Sequence, residues 1–162
     1  MSSALCRRNF APVMLRKFFM LLAFWSLPVY FSLNIYTPGY GKSQKENWSK
    51  TDLTLENVYD ALLALDIEHP DVVMRQVIVE TMWLKCENCS KQTNNLFGFY
   101  LNGKYMEFDS WFESVMYYKV WQETYYKDKS KDYYLFLGSS GYATSQKYVY
   151  TLKGVILPDF IR

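Results

Sequence analysis

The sequence predicts an α+β domain that is mostly helical, with one small β-hairpin in its middle. Three observations predict it. Apolar residues recur at helical spacing in residues 53–66 and in long runs on either side of the chain's centre. Asn102-Gly103, a turn signal, separates two short strand-like runs. No repeat or low-complexity tract interrupts this outline, and 162 residues suffice for one domain with a sizeable core. Half of the residues are hydrophobic and 19% are aromatic, which excludes a disordered tail. The 15 tyrosines and five tryptophans suggest ring-lined surfaces as well as core, because both side chains pair an apolar body with a polar tip.

The elements follow in order. Residues 53–66 carry apolar side chains at 55, 58, 59, 62, 63 and 65, the pattern of an amphipathic helix, with Thr54 as its N-cap and Asn57 three residues on. Pro70 punctuates, and Asp71 is placed to cap a second helix running to about Lys85. Residues 86–95 are polar and read as a loop. The hairpin spans 98–108, and a third helix covers 109–126 with Asp109 as its cap. A short helix is expected at 130–137, ended by Gly138, and a last one at 145–157, closed by Pro158.

Residues 18–35 form an apolar run interrupted by Ser26, Pro28, Ser32 and Asn34, and Arg7, Arg8, Arg16 and Lys17 all precede it. That layout is a secretory signal peptide or an N-terminal membrane anchor over residues 1–36, with Met14 as a second candidate start. Residues 37–52 read as a linker and 53–162 as the working domain. The expectation is an exported protein of the periplasm or cell envelope, held at the inner membrane if the segment is not cleaved. Beyond residue 36 there are 14 basic and 16 acidic side chains, net −2, which is no nucleic-acid footprint.

Cys86 and Cys89 form C-E-N-C in a polar stretch. After export a local disulfide is one reading, and free thiols, a redox pair and a metal site are others. A tetrahedral zinc site needs further ligands, and His69 is the chain's single histidine, so no metal and no cofactor is expected.

Glu80 is the most telling residue. On a helix it shares a face with Val73, Gln76, Val77 and Leu84. A carboxyl so placed is partly stripped of water, which disfavours its charged form and raises its pKa. Glycoside cleavage needs such an acid, still protonated near neutral pH. The plainer reading is a helix-edge Glu paired with Arg75 or a lysine. Farther on, Asn94 and Asn95 offer amides to backbone or sugar, Leu96 and Phe97 anchor a turn, and Gly98 permits close approach of backbone or ligand.

Taken in order, the pieces resemble the glucosaminidase domain of glycoside hydrolase family 73, over about residues 54–157. QVIVETMW (76–83) is similar to the family's Glu-bearing helix, and NNLFG (94–98) matches its segment residue for residue. FDSWFES (108–114) with Tyr118 resembles the stretch after the hairpin, and GYAT (141–144) with Tyr148 and Leu152 resembles the closing helix. The resemblance implies a lysozyme-like fold, a cleft between a helical lobe and a small hairpin lobe, and hydrolysis of the β-1,4 bond after N-acetylglucosamine in peptidoglycan strands. It implies Glu80 as the general acid, and Asn94, Asn95, Phe97, Gly98, Tyr118, Tyr142 and Tyr148 along the substrate cleft. Longer family members carry a second acid on an extended β-lobe. Here the lobe is short, and Glu107 is the remaining candidate. The alternative is a non-catalytic glycan-binding module on the same fold. The family often has Gly after the Trp of the Glu helix, where this chain has Leu84.

Overall fold

The computed structural model describes residues 47–142 and 146–161. The expected signal or anchor segment lies outside the described residues. Helix α1 (Leu55–Ala64) begins where the sequence places it, with the Thr54 hydroxyl accepting from the Asn57 N–H at 3.1 Å. It ends with Asp66 left-handed at φ 50° and the Ile67 N–H reaching back to the Leu62 carbonyl, a Schellman-type stop.

Helix α2 (Pro70–Thr81) departs from expectation at both ends. Its N-cap is His69, which makes no side-chain capping bond, and Asp71 lies in the first turn instead. Pro70 at the first helical position fixes that start, because its missing N–H is no loss there. The helix stops at Thr81, four residues short of Lys85. Met82, Trp83 and Leu84 all take positive φ, at 50°, 62° and 61°. The Thr81 side chain anchors this left-handed turn, accepting from the Leu84 N–H at 3.1 Å and donating to the Val77 carbonyl at 2.6 Å.

A short 3-10 helix (Ser90–Thr93) lies within the segment read as loop. Strands β1 (Tyr100–Leu101) and β2 (Lys104–Tyr105) pair antiparallel, with Tyr100 opposite Tyr105. Asn102 and Gly103 have φ of 52° and 85°, as the two-residue turn requires. Helix α3 (Trp111–Tyr125) is capped by Ser110, not Asp109: the Ser110 hydroxyl accepts from the Glu113 N–H. Helix α4 (Tyr133–Ser139) starts at the Asp132 cap and runs through Gly138. Helix α5 (Gln146–Lys153) is shorter than expected and is followed by Gly154.

The architecture is mostly helical, lysozyme-like and α+β, as the sequence predicts. The core is shared by every helix, with Val58, Leu62, Val73, Val77, Val115, Leu137 and Leu152 all buried. The last residues of the expected linker belong to it. Trp48 stacks on Phe112 at 5.7 Å, and the Trp111 indole donates to the Thr51 carbonyl at 2.9 Å. A large ring beside an apolar surface is buried even when its neighbours are polar.

A hairpin of two residue pairs is marginal in isolation. Buried Asn95 ties it to the body: its amide donates to the Phe99 and Met106 carbonyls at 2.8 and 3.0 Å and accepts from the Phe99 N–H at 2.9 Å. Asn95→Ala is therefore expected to lower unfolding free energy by about 1–3 kcal/mol in urea titration, since it leaves the buried Phe99 N–H without a partner, while the Phe99 and Met106 carbonyls keep the Met106 N–H and the Thr93 hydroxyl.

Candidate active site

Glu80 occupies the last turn of α2, beside the left-handed turn that ends the helix. Gly98 holds φ +64°, and a Cβ built there stands 2.9 Å from Glu80 Oε2. A side chain at 98 would force the Glu80 carboxyl to shift from its place, and an L-residue is strained at that φ. Glycine at this position thus suits the backbone conformation and leaves the Glu80 carboxyl in place.

The turn that carries Gly98 is held rigidly. The Asn94 amide donates to the Phe108 carbonyl at 2.9 Å, and Asn95 makes the three bonds described above. The Leu96 N–H donates to the Ser114 hydroxyl at 3.4 Å, and Leu96 and Phe97 are buried. From the other side the Tyr142 hydroxyl donates to the Phe97 carbonyl at 2.6 Å.

Burial pushes the Glu80 pKa up to about 7, while the Tyr148 hydroxyl, which hydrogen-bonds the carboxylate, opposes the rise. Desolvation and the Glu80 charge hold Tyr148 and Tyr142 well above the ordinary phenol range, so both stay protonated donors. The Gln76 amide, one turn before Glu80, donates to Tyr148 Oη at 3.4 Å and accepts from Tyr118 Oη at 2.6 Å. Arg75, the partner that the plainer reading gave Glu80, instead donates to the carbonyls of Leu152 and Val155.

The structure brings Glu80, Gly98, Tyr142 and Tyr148 together. It does not bring all the expected cleft residues there. Tyr118 has no exposed surface and offers nothing to a sugar: its ring packs on Phe97 at 4.4 Å inside the core. Asn95 and Phe97 are likewise buried, and Asn94 is engaged with the backbone, so these residues shape the turn. Glu107 is exposed, on the segment after β2. Cys86 and Cys89 are not joined in a disulfide, which is one of the readings the sequence leaves open. Cys86 is turned into the core, while Cys89 caps the 3-10 helix. Among the described residues no cluster of His, Cys, Asp and Glu could hold a metal ion. Sequence reasoning missed Tyr133 and Gln122, whose roles depend on contacts between helices distant along the chain.

Exposed aromatics lie near the same helix end. Trp83 and Tyr150 are 42% and 82% exposed, and both line an open groove with Thr151, Gly154, Val155 and Ile156. Among the described residues no helix is long and apolar enough to cross a membrane.

Compared with known families, residues 55–157 match the glucosaminidase model, described as mannosyl-glycoprotein endo-beta-N-acetylglucosaminidase. No curated protein and no solved structure matches the chain.

The raised Glu80 pKa fixes a sign for stability. In the unfolded chain the carboxyl deprotonates near its ordinary 4.5, in the fold near 7. Between those values the native state holds the extra proton, so stability falls as pH rises, by about 3 kcal/mol in total. Glu80→Gln removes that loss. The variant is expected to melt higher than wild type at pH 8, with the difference vanishing near pH 4, in paired thermal scans.

Proposed function

The chain belongs to the glucosaminidase family of glycosidases, which act on glycans, and from that premise we propose that it is an exported peptidoglycan hydrolase with Glu80 as its general acid. The bond cleaved is the β-1,4 link after N-acetylglucosamine. The observation that carries the reading is the Glu80 carboxyl itself, desolvated against Gly98 with its pKa near 7. An acid with that pKa keeps about half of its population protonated at neutral pH and transfers its proton efficiently to a leaving glycosidic oxygen.

Tyr148 contributes after the transfer. Its hydroxyl donates to the carboxylate that proton loss leaves behind. Trp83 and Tyr150 offer exposed ring faces on the adjoining groove, which suit the apolar faces of pyranose rings. The oxocarbenium-like centre also needs support. Glu107 stands exposed on the short lobe, and the substrate's own N-acetyl group supplies that support when no second carboxylate reaches the sugar. The basic, apolar N-terminal segment directs the domain out of the cytoplasm, either as a cleaved signal or as an anchor at the inner membrane.

The full chain, incubated with purified peptidoglycan, is expected to release fragments ending in reducing N-acetylglucosamine, identified by mass spectrometry after borohydride reduction. Glu80→Gln is expected to lose activity by about 10²-fold or more. Activity should decline above pH 7 as Glu80 ionises. Reducing N-acetylmuramic acid ends would overturn the bond assignment. Binding without release by a folded chain would leave a glycan-binding module.

A further inference from the structure

Behind Glu80 a line of buried hydrogen bonds crosses the whole core. Gln122 Nε2 bonds Tyr133 Oη at 2.8 Å, the Tyr133 and Tyr118 hydroxyls meet at 2.7 Å, and Tyr118 Oη bonds Gln76 Oε1 at 2.6 Å. Gln76 Nε2 then bonds Tyr148 Oη, which reaches Glu80. The line runs from α3 to α4, back to α3, and on to α2 and α5. Gln76, Tyr118 and Gln122 are buried, as are Tyr133 and Tyr148, so no solvent is at hand to replace a lost partner.

Each phenol has one proton to donate, and an amide fits its site in two orientations. The far end of the line removes the ambiguity. Gln122 Oε1 accepts from the Glu68 N–H at 2.9 Å, and Gln122 Nε2 donates to the Glu68 carbonyl at 2.8 Å. A backbone N–H only donates and a carbonyl only accepts, so the Gln122 amide has one allowed orientation. Its NH₂ therefore faces Tyr133, which must direct its own proton to Tyr118. Tyr118 must donate to Gln76, which places the Gln76 carbonyl toward Tyr118 and its NH₂ toward Tyr148. The Tyr148 proton is then left for Glu80.

We propose that the backbone of Glu68 sets, through Gln122, Tyr133, Tyr118 and Gln76, the direction of the proton that Tyr148 offers to Glu80, and that Gln122 and Tyr133 are positioning residues of the glycosidase site. The proposal rests on Glu80 being the acid. Without the line, Gln76 is free to turn over, and its carbonyl then competes with Glu80 for the Tyr148 proton. The titratable groups that face Glu80 are Tyr148 on α5 and Tyr142 on the loop before it, and the turn at Gly98 presents backbone only.

The test is Tyr133→Phe in the full-length chain in detergent, beside Tyr126→Phe. The Tyr126 ring packs edge-on against Tyr133 at 4.9 Å, but its hydroxyl donates to the Lys131 carbonyl and stands outside the line. Glutamate labelled with carbon-13 at the carboxyl reports the Glu80 titration by NMR, and its resonance is assigned by its loss in Glu80→Gln. Tyr133→Phe is expected to move the titration and the alkaline limb of kcat/KM upward by about half a pH unit. It is expected to lower kcat about 3- to 10-fold with KM little changed, because the carboxylate loses part of a charge-assisted bond. Tyr126→Phe should lower the melting temperature and leave both curves in place. A folded Tyr133→Phe with an unmoved titration overturns the proposal, as does an equal shift in Tyr126→Phe. If Tyr133→Phe does not fold, Tyr118→Phe, which removes the proton given to Gln76, carries the same expectation and the same refutation. A moved titration in a chain that cleaves no glycan leaves the line standing and removes the assigned function. Cleavage with an unmoved titration does the reverse.

Discussion

The carboxyl of Glu80 and the backbone of Gly98 occupy adjoining space, and much of the domain exists to keep them there. A Cβ at position 98 would stand 2.9 Å from Oε2, so the turn lies closer to the carboxyl than a residue with a side chain could without displacing it. A backbone this close displaces water from the carboxyl, and lost hydration favours the neutral acid. The turn is held from four sides: Asn95 fixes it to the hairpin, Asn94 to the Phe108 carbonyl, Ser114 to α3, and Tyr142 grips the Phe97 carbonyl. The hairpin is two pairs long and contributes little stability alone. Its place in the fold is to complete the sockets for the Asn94 and Asn95 amides.

The helix on the other side of the contact is also under constraint. α2 ends one residue after Glu80, and three consecutive non-glycine residues then take left-handed conformations. Each costs roughly 1–2 kcal/mol relative to a right-handed helix. The return is geometric. The left-handed turn ends the helix beside Glu80 and leaves Trp83 exposed on the groove. Leu84 is left-handed at the position where related domains often carry glycine. Strain gathered beside a desolvated carboxyl is consistent with the role proposed for Glu80, in which stability is traded for chemistry.

Local chemistry was legible in the sequence, and long-range contact was not. Thr54 as a cap and Asn102-Gly103 as a turn depend on neighbouring residues alone, and both are found. Glu80 was visible because a carboxylate on an apolar helix face breaks the pattern. The end of α2 was hidden, because Met82, Trp83, Leu84 and Lys85 carry no glycine or proline, and tertiary anchoring through Thr81 stops the helix instead. Tyr118 and Asn95 were read as cleft residues. Both are interior groups whose polar atoms bond the protein itself, a distinction that depends on which side of the turn faces solvent. Gln122 could not be singled out at all, since its partners are the backbone of Glu68 and the hydroxyl of Tyr133.

Two opposed forces act on the Glu80 proton, and the general-acid role proposed for it needs both. Desolvation holds the proton on before the reaction, raising the pKa to about 7. Once the proton leaves, the same dry environment would penalise the carboxylate and favour its return. Tyr148 relieves that penalty with a donor already in place, whose own pKa is too high to ionise near neutrality. A donor free to turn would have to be reoriented during each turnover, whereas one held by neighbouring bonds requires no reorganisation. The buried line of Gln and Tyr side chains meets that requirement. It keeps a polar network satisfied inside an apolar core, where any unpaired member would be destabilising.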